Sequence, residues 1–316
     1  MTPRRITVFG GSGFIGRALA QRLAEAGCLL RVAVRDADAA GALKPLGDVG
    51  QITPIAASLT RPETLAAAVQ GADAVINLTG ILYEKGSQSF DAVHHRGAAN
   101  LARAAREAGA RLFVQMSALG ADLASPSRYA RSKAAGEQAV REIFPEAILF
   151  RPSVVFGPRD DFFNRFARMT SVSPGLPLIG GGHTRFQPVY VDDVALAIRR
   201  ALTDNAARGG LYELGGPAVY TLRQVMEMVL ELTGRHRGLV PLPFPLASVM
   251  GSMMQLLPVP PLTRDQVILL RRDNILTGGH PGLQALGVPP TTVESVLPAY
   301  MAAYRKGGRF APAQPV

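Results

Sequence analysis

The chain has 316 residues, 47% of them apolar and 18% charged, a balance that excludes a disordered linker protein and leaves room for two folding units with a sizeable core. A single cysteine, Cys28, excludes a disulfide framework and a cysteine-rich zinc site, and no uninterrupted apolar run reaches the roughly 18 residues of a membrane span. The net charge of +10 is spread along the chain without a basic block or interleaved aromatics, so nucleic acid is not an expected partner.

Met1-Thr2-Pro3-Arg4-Arg5 passes at once into a strand-like run, so no signal or transit peptide is expected. Short apolar runs predict strands over 6–9, 30–34, 52–55, 74–78, 112–116 and 148–150. Helical patterns fall between them, over 14–26, 62–69, 90–108 and 128–143. This alternation predicts an α/β fold: a doubly wound Rossmann domain over residues 1–156, its parallel sheet joined by right-handed crossovers. After Arg151-Pro152 the texture changes, with frequent Pro and Gly. Helices over 191–203 and 222–233 flank a short run at 210–214. Residues 239–262 carry no charge, and the prolines at 241, 243, 245, 258, 260 and 261 confine a helix to about 246–257, far short of a bilayer's ~30 Å. Its polar stripe, Ser248, Ser252 and Gln255, suits either a core helix of a small domain or a partner-facing one. The expected organisation is a smaller C-terminal region over 157–306, interleaved with the sheet and capping the cofactor cleft, and a flexible tail over 307–316.

Val8-Phe9-Gly10-Gly11-Ser12-Gly13-Phe14-Ile15-Gly16 reads as strand, glycine turn and helix start. Gly10 permits the tight turn, Gly13 lets backbone approach a pyrophosphate, and Gly16 lets the helix pack on the strand. Free N–H groups and a positive dipole end then face the ligand. At the second strand's end, where an acidic residue would bind the ribose of NAD, stands Arg35, followed by Asp36. A guanidinium there suits a 2′-phosphate, with Arg17 as a second contact, so NADP(H) is the expected cofactor. NAD(H), with Asp36 swung in, is the alternative.

Ser117 follows the fifth strand, and Tyr129-Ala130-Arg131-Ser132-Lys133 opens the next helix. Positions i and i+4 share a helix face, so the Tyr129 hydroxyl and the Lys133 ammonium converge. The ammonium favours phenolate, which suits a general acid/base for hydride transfer between carbonyl and alcohol, with Ser117 holding the substrate oxygen. The same residues also serve to anchor a nicotinamide ribose without turnover.

Together these residues resemble the short-chain dehydrogenase/reductase superfamily in its extended or atypical form. Asn77-Leu78-Thr79-Gly80 matches the strand end that passes under the cofactor, Arg151-Pro152-Ser153-Val154 the sixth-strand exit near the nicotinamide, and Gln187-Pro188-Val189-Tyr190-Val191-Asp192-Asp193 the entry of a second-domain helix. The resemblance thus adds Leu78, Thr79, Gly80, Pro152 and Val154 to the expected cofactor-binding set of Gly10, Ser12, Gly13, Phe14, Ile15, Gly16, Arg17, Arg35, Tyr129 and Lys133. Ser58-Leu59 stands where the superfamily often places Asp-Leu against the adenine. Ser127-Arg128-Tyr129, Phe144-Pro145-Glu146, Asp160-Asp161-Phe162-Phe163-Asn164, Pro241-Leu242-Pro243-Phe244-Pro245 and Thr263-Arg264-Asp265-Gln266 are more particular. They resemble the family of nucleotide-binding accessory subunits of respiratory complex I, NADH:ubiquinone oxidoreductase. That likeness implies a structural NADP(H), complex I subunits as partners at the membrane surface, and a bacterial relative that is cytoplasmic or peripheral on the cytoplasmic face of the inner membrane. The rival expectations are an active NAD(P)H-dependent oxidoreductase or epimerase on a small apolar or quinone-like carbonyl, using Ser117, Tyr129 and Lys133, and an NADPH-sensing regulator.

No metal site is expected. His94 and His95 are adjacent and point about 100° apart on a helix, which reads as a solvated face. Asp192 and Asp193 read as carboxylates meeting a helix dipole, and Cys28 as an inert buried thiol.

Overall fold

The computed structural model describes residues 4–37 and 39–308; most of the expected C-terminal tail lies outside them. Six strands and four helices alternate through the first half of the chain. The strands are β1 (Arg5–Phe9), β2 (Leu29–Val34), β3 (Ile52–Ala56), β4 (Ala74–Asn77), β5 (Leu112–Met116) and β6 (Ile148–Pro152). The helices are α1 (Phe14–Glu25), α2 (Leu65–Val69), α3 (Gly97–Glu107) and α4 (Arg128–Ile143). A seventh strand, β7 (Leu211–Leu214), arrives after helix α5 (Val191–Ala201). All seven pair in parallel in the order β7-β6-β5-β4-β1-β2-β3, the doubly wound arrangement. β4 and β5 are buried along their whole length, as strands covered on both faces must be.

By chain contacts the described residues form two units. The first is built from 4–152, Val191–Leu214 and Thr277–Pro289, the second from Ser153–Tyr190, Gly215–Leu276 and 290–308. In the first, one face of the sheet carries a core of Phe9, Val75, Leu101, Phe113 and Val140. On α1, Arg22 makes a two-pronged ion pair with Asp192 in the first turn of α5, its Nε 2.7 Å from Oδ1. The second unit packs Phe156, Phe163, Val225, Val229 and Leu297 together. There the buried Asp160 accepts from the Tyr300 hydroxyl at 2.7 Å and from the amides of Gly157, Phe162 and Asn164. Four donors make a buried carboxylate tolerable.

Three local readings shift. The helix after Pro243 spans Phe244–Met254, not 246–257, because Pro245 falls in its first turn, where a missing N–H costs nothing. The helix predicted over 90–108 opens as a π-helical turn, Asp91–Arg96, before α3. His94 is not on a solvated face. It is 2% exposed, because that turn drives its ring inward, whereas His95 stays half-exposed beside Asp91.

Candidate functional site

The glycine turn is fixed by close approach. A β-carbon on Gly16 would lie 2.3 Å from the Gly10 carbonyl oxygen, so only glycine lets α1 start against β1. Gly10 itself has a φ of 78° and abuts the backbone of Leu78 after β4. Gly13 is the N-cap of α1 and offers no side-chain cap, and the first turn holds no acidic residue, so its N–H groups suit an anion. Ser12, Phe14 and Ile15 lie in this turn. Arg17 folds back on it, donating from Nε to the Ser12 carbonyl at 3.0 Å. Gly11, which the glycine spacing did not single out, is also closed to a side chain: its β-carbon would stand 2.6 Å from Val32 Cγ1.

Arg35 and Asp36 are exposed just beyond β2. After β3, the Ser58 hydroxyl pairs with Thr60 Oγ1 at 3.0 Å and its amide donates to Thr64 Oγ1 at 3.1 Å, while Leu59 turns into the apolar core. After β4, the Leu78 amide donates to the Phe9 carbonyl and the Thr79 amide to Asn77 Oδ1. Asn77 in turn donates to Gln115 Oε1 at 2.9 Å, tying the ends of β4 and β5 together.

Ser117 follows β5, and its amide donates to the Phe150 carbonyl at 2.7 Å. Its buried Oγ has no hydrogen-bond partner, one of only two such side-chain atoms among the described residues. A buried hydroxyl left unpaired costs free energy unless a ligand satisfies it. Helix α4, capped by Ser127 Oγ on the Ala130 amide, buries Lys133 and Glu137, two charged residues one turn apart, among the small or apolar Ala130, Ser132, Ala134, Gly136 and Val140. Lys133 Nζ donates to the Met116 carbonyl at 3.3 Å and stands 5.9 Å from the centre of the Tyr129 ring. Burial lowers its pKa to about 8, against the pull of Glu137. Glu137 is held by both arms of Arg151 on β6, at 2.8 and 2.6 Å.

His94, Glu137 and Arg151 were not among the expected site residues. The i, i+4 spacing of Lys133 and Glu137 signalled the second. Nothing local signalled His94, whose Nε2 accepts the Ile81 amide at 3.0 Å and whose Nδ1 bonds Ser132 Oγ at 2.9 Å. Burial first, and then Lys133, push its pKa down to about 2, so the imidazole is neutral. The glycine turn, Arg35, Ser58, Leu78, Thr79, Gly80, Ser117 and Pro152 follow or end strands at one edge of one sheet, and Tyr129 and Lys133 open the helix after β5. Val154 belongs to the second unit, where its amide donates to Asn274 Oδ1 at 3.0 Å. No group of three metal-binding side chains exists among the described residues.

These features meet the needs of a nicotinamide dinucleotide. Gly16 brings the start of α1 against β1, the α1 terminus carries no side-chain cap, Ser117 Oγ is buried without a hydrogen-bond partner, and a buried Lys133 stands one turn from a half-buried Tyr129. The fold and site define a dinucleotide-binding α/β protein. The chain belongs to the NAD dependent epimerase/dehydratase family, whose model matches residues 6–215. Among its relatives, NADH dehydrogenase (ubiquinone) 1 alpha subcomplex subunit 9, mitochondrial, of Arabidopsis thaliana is 38% identical over 314 residues, 96% of this chain and 78% of that one. Ceramide reductase of Caulobacter vibrioides is 31% identical over 251 residues, 79% of this chain and 77% of that one. The solved structure of Citrobacter sp. triphenylmethane reductase shares the fold, with a TM-score of 0.74 at 20% identity, over 94% of this chain and 99% of that one.

Proposed function

We propose that this protein is an NADP(H)-binding accessory protein of respiratory NADH:ubiquinone oxidoreductase, with the nucleotide in a largely structural role, peripheral on the cytoplasmic face of the inner membrane. The 38% identity, over 96% of the chain, to a relative named as an NADH dehydrogenase (ubiquinone) subunit carries this reading. The N–H groups of residues 14–16 bind the pyrophosphate, and Arg35 pairs with the 2′-phosphate. Lys133 holds the nicotinamide ribose, and Ser117 Oγ gains its missing partner. When bound, the nucleotide supplies a hydride donor or acceptor. In the second unit, Leu246, Val249, Met253, Leu256 and Leu257 are exposed around the helix Phe244–Met254, while its serines bond the helix's own carbonyls, which favours a protein contact at this face. No helix among the described residues is long and apolar enough to cross a membrane.

The second reading is an NAD(P)H-dependent reductase or epimerase of a small apolar or quinone-like carbonyl. It is favoured by the complete set of Ser117, Tyr129 and Lys133, and by a relative named as a reductase. Tyr129 would then donate a proton to the carbonyl oxygen that Ser117 Oγ holds.

The test is to purify the protein from its native membrane under mild conditions and identify both the nucleotide it carries and its companions. NADPH or NADP together with complex I subunits is the expected result. Protein free of those subunits, but oxidising NADPH with a quinone or ketone, selects the second reading.

A further inference from the structure

The His94 imidazole has both nitrogens committed. Nε2 accepts from the Ile81 amide, so the ring proton is on Nδ1, which donates to Ser132 Oγ; that hydroxyl donates in turn to the Tyr129 carbonyl at 2.7 Å. The ring stacks on Phe90 at 5.6 Å and meets the Tyr129 ring edge-on at 5.4 Å. Gly80 lies near both groups: an added β-carbon would stand 3.8 Å from His94 Nε2 and 3.3 Å from Lys133 Nζ. Phe90 and Ser132, both in contact with the ring, also line a surface hollow of about 290 Å³, together with Asp91, His95, Arg128 and Arg131. The ring thus contacts two residues of that hollow on one hand and, with the ammonium, the same glycine on the other.

We propose that His94 is a positioning residue of the nucleotide site: its ring seals the Lys133 ammonium from water on the side of the π-helical turn, so that the Tyr129–Lys133 pair clamps a ribose and has no proton outlet through this wall. This rests on the nucleotide-binding reading above. A ring whose Nε2 is occupied by a backbone N–H and whose Nδ1 already holds its proton cannot pass a proton from Lys133 outward. The titratable and charged groups facing Lys133 are Tyr129 and Glu137 on its own helix, His94 from the π-helical turn and, through Glu137, Arg151 from β6. Asp91, His95, Arg128 and Arg131 line the hollow.

The experiment compares wild type, His94→Asn and His94→Phe. NADPH affinity is followed by fluorescence from pH 7 to 10.5. Acylation of Lys133 by acetic anhydride is followed by mass spectrometry, which resolves it readily because the chain has four lysines. In wild type the affinity falls through a midpoint near pH 8 as the ammonium is lost, and Lys133 is the slowest lysine to react. His94→Asn keeps an acceptor near Ile81 but opens the wall. Its midpoint should climb by about one unit or more towards the ~10.4 of a solvated lysine, and its limiting acylation rate should rise at least about tenfold. His94→Phe keeps the wall and should leave both near wild type. Should His94→Asn not fold, His94→Gln takes its place. An unchanged midpoint and acylation rate in the Asn or Gln variant would overturn the proposal. Failure of wild type to bind NADPH would remove the nucleotide reading, yet acylation would still decide whether His94 seals Lys133.

Discussion

Gly80 and Lys133 meet across the end of β4: a β-carbon on the glycine would stand 3.3 Å from the lysine Nζ, tighter than ordinary van der Waals contact. The ammonium is therefore held between a backbone and the Met116 carbonyl, which it reaches at 3.3 Å. Gly80→Ala displaces only the end of a flexible side chain and should cost under about 1 kcal/mol of stability. Gly80→Val overfills the site and should cost about 1–3 kcal/mol, with nucleotide affinity falling at least about tenfold. Denaturant titration and NADPH binding measure the two effects. A Val variant that binds as wild type would show that the ammonium's position is not set here.

Lys133 is costly to the nucleotide-free protein. Its folded pKa of about 8 lies below that of a solvated lysine, so between pH 8 and about 10.4 the unfolded chain binds more protons than the folded one and stability rises with pH. The penalty is fully present below pH 8 and amounts to about 3 kcal/mol. Lys133→Met should therefore raise the Tm of nucleotide-free protein at pH 7 by a few degrees, with the advantage shrinking towards pH 10.4. Calorimetry across that range checks it; a lower Tm for the variant at pH 7 contradicts it.

Arg35 is expected to select the 2′-phosphate. Losing a charge-assisted pair costs about 1.5–3 kcal/mol, so Arg35→Ala should weaken NADPH roughly ten- to a hundredfold and leave NADH nearly unchanged. Isothermal titration with both cofactors decides it. Equal affinities in the wild type would remove the preference.

Tyr129 separates the two functional readings. In a structural site, Tyr129→Phe loses one hydrogen bond, about 0.5–1.5 kcal/mol of affinity, whereas Lys133→Ala releases the nucleotide and the thermal stability it confers. In a working reductase, Tyr129→Phe should keep the affinity and lose about 10²–10⁴ in rate. The first pattern is expected, and NADPH oxidation abolished by Tyr129→Phe would replace it with the second.

Val249 and Met253, one turn apart, are 58% and 69% exposed. Because they pack little against their own unit, Val249→Glu with Met253→Glu should fold and bind nucleotide as wild type, while co-purification with complex I subunits falls at least about tenfold. Retained co-purification would move the contact elsewhere.

What the chain announces by itself is local or periodic. The spacing of Gly10, Gly13 and Gly16 reports a turn closed within a few residues, alternating apolar runs report strands buried on both faces, and Tyr129 and Lys133 share a face by helical repeat alone. Burial of Glu137 beside Lys133 was within reach of the same repeat. His94 was not, because its partners Ile81 and Ser132 stand 13 and 38 residues away and a π-helical turn, not a regular helix, aims its ring. The burial of the Leu59 side chain in the core was likewise illegible. The join of β7 to β6 depends on a return of the chain from Arg151 to Glu213. Hydrogen bonds within one helical turn are written into neighbouring residues. Which polar groups lose water, and so which protonation states they hold, is decided by the segments that pack over them, and only the tertiary structure brings those together.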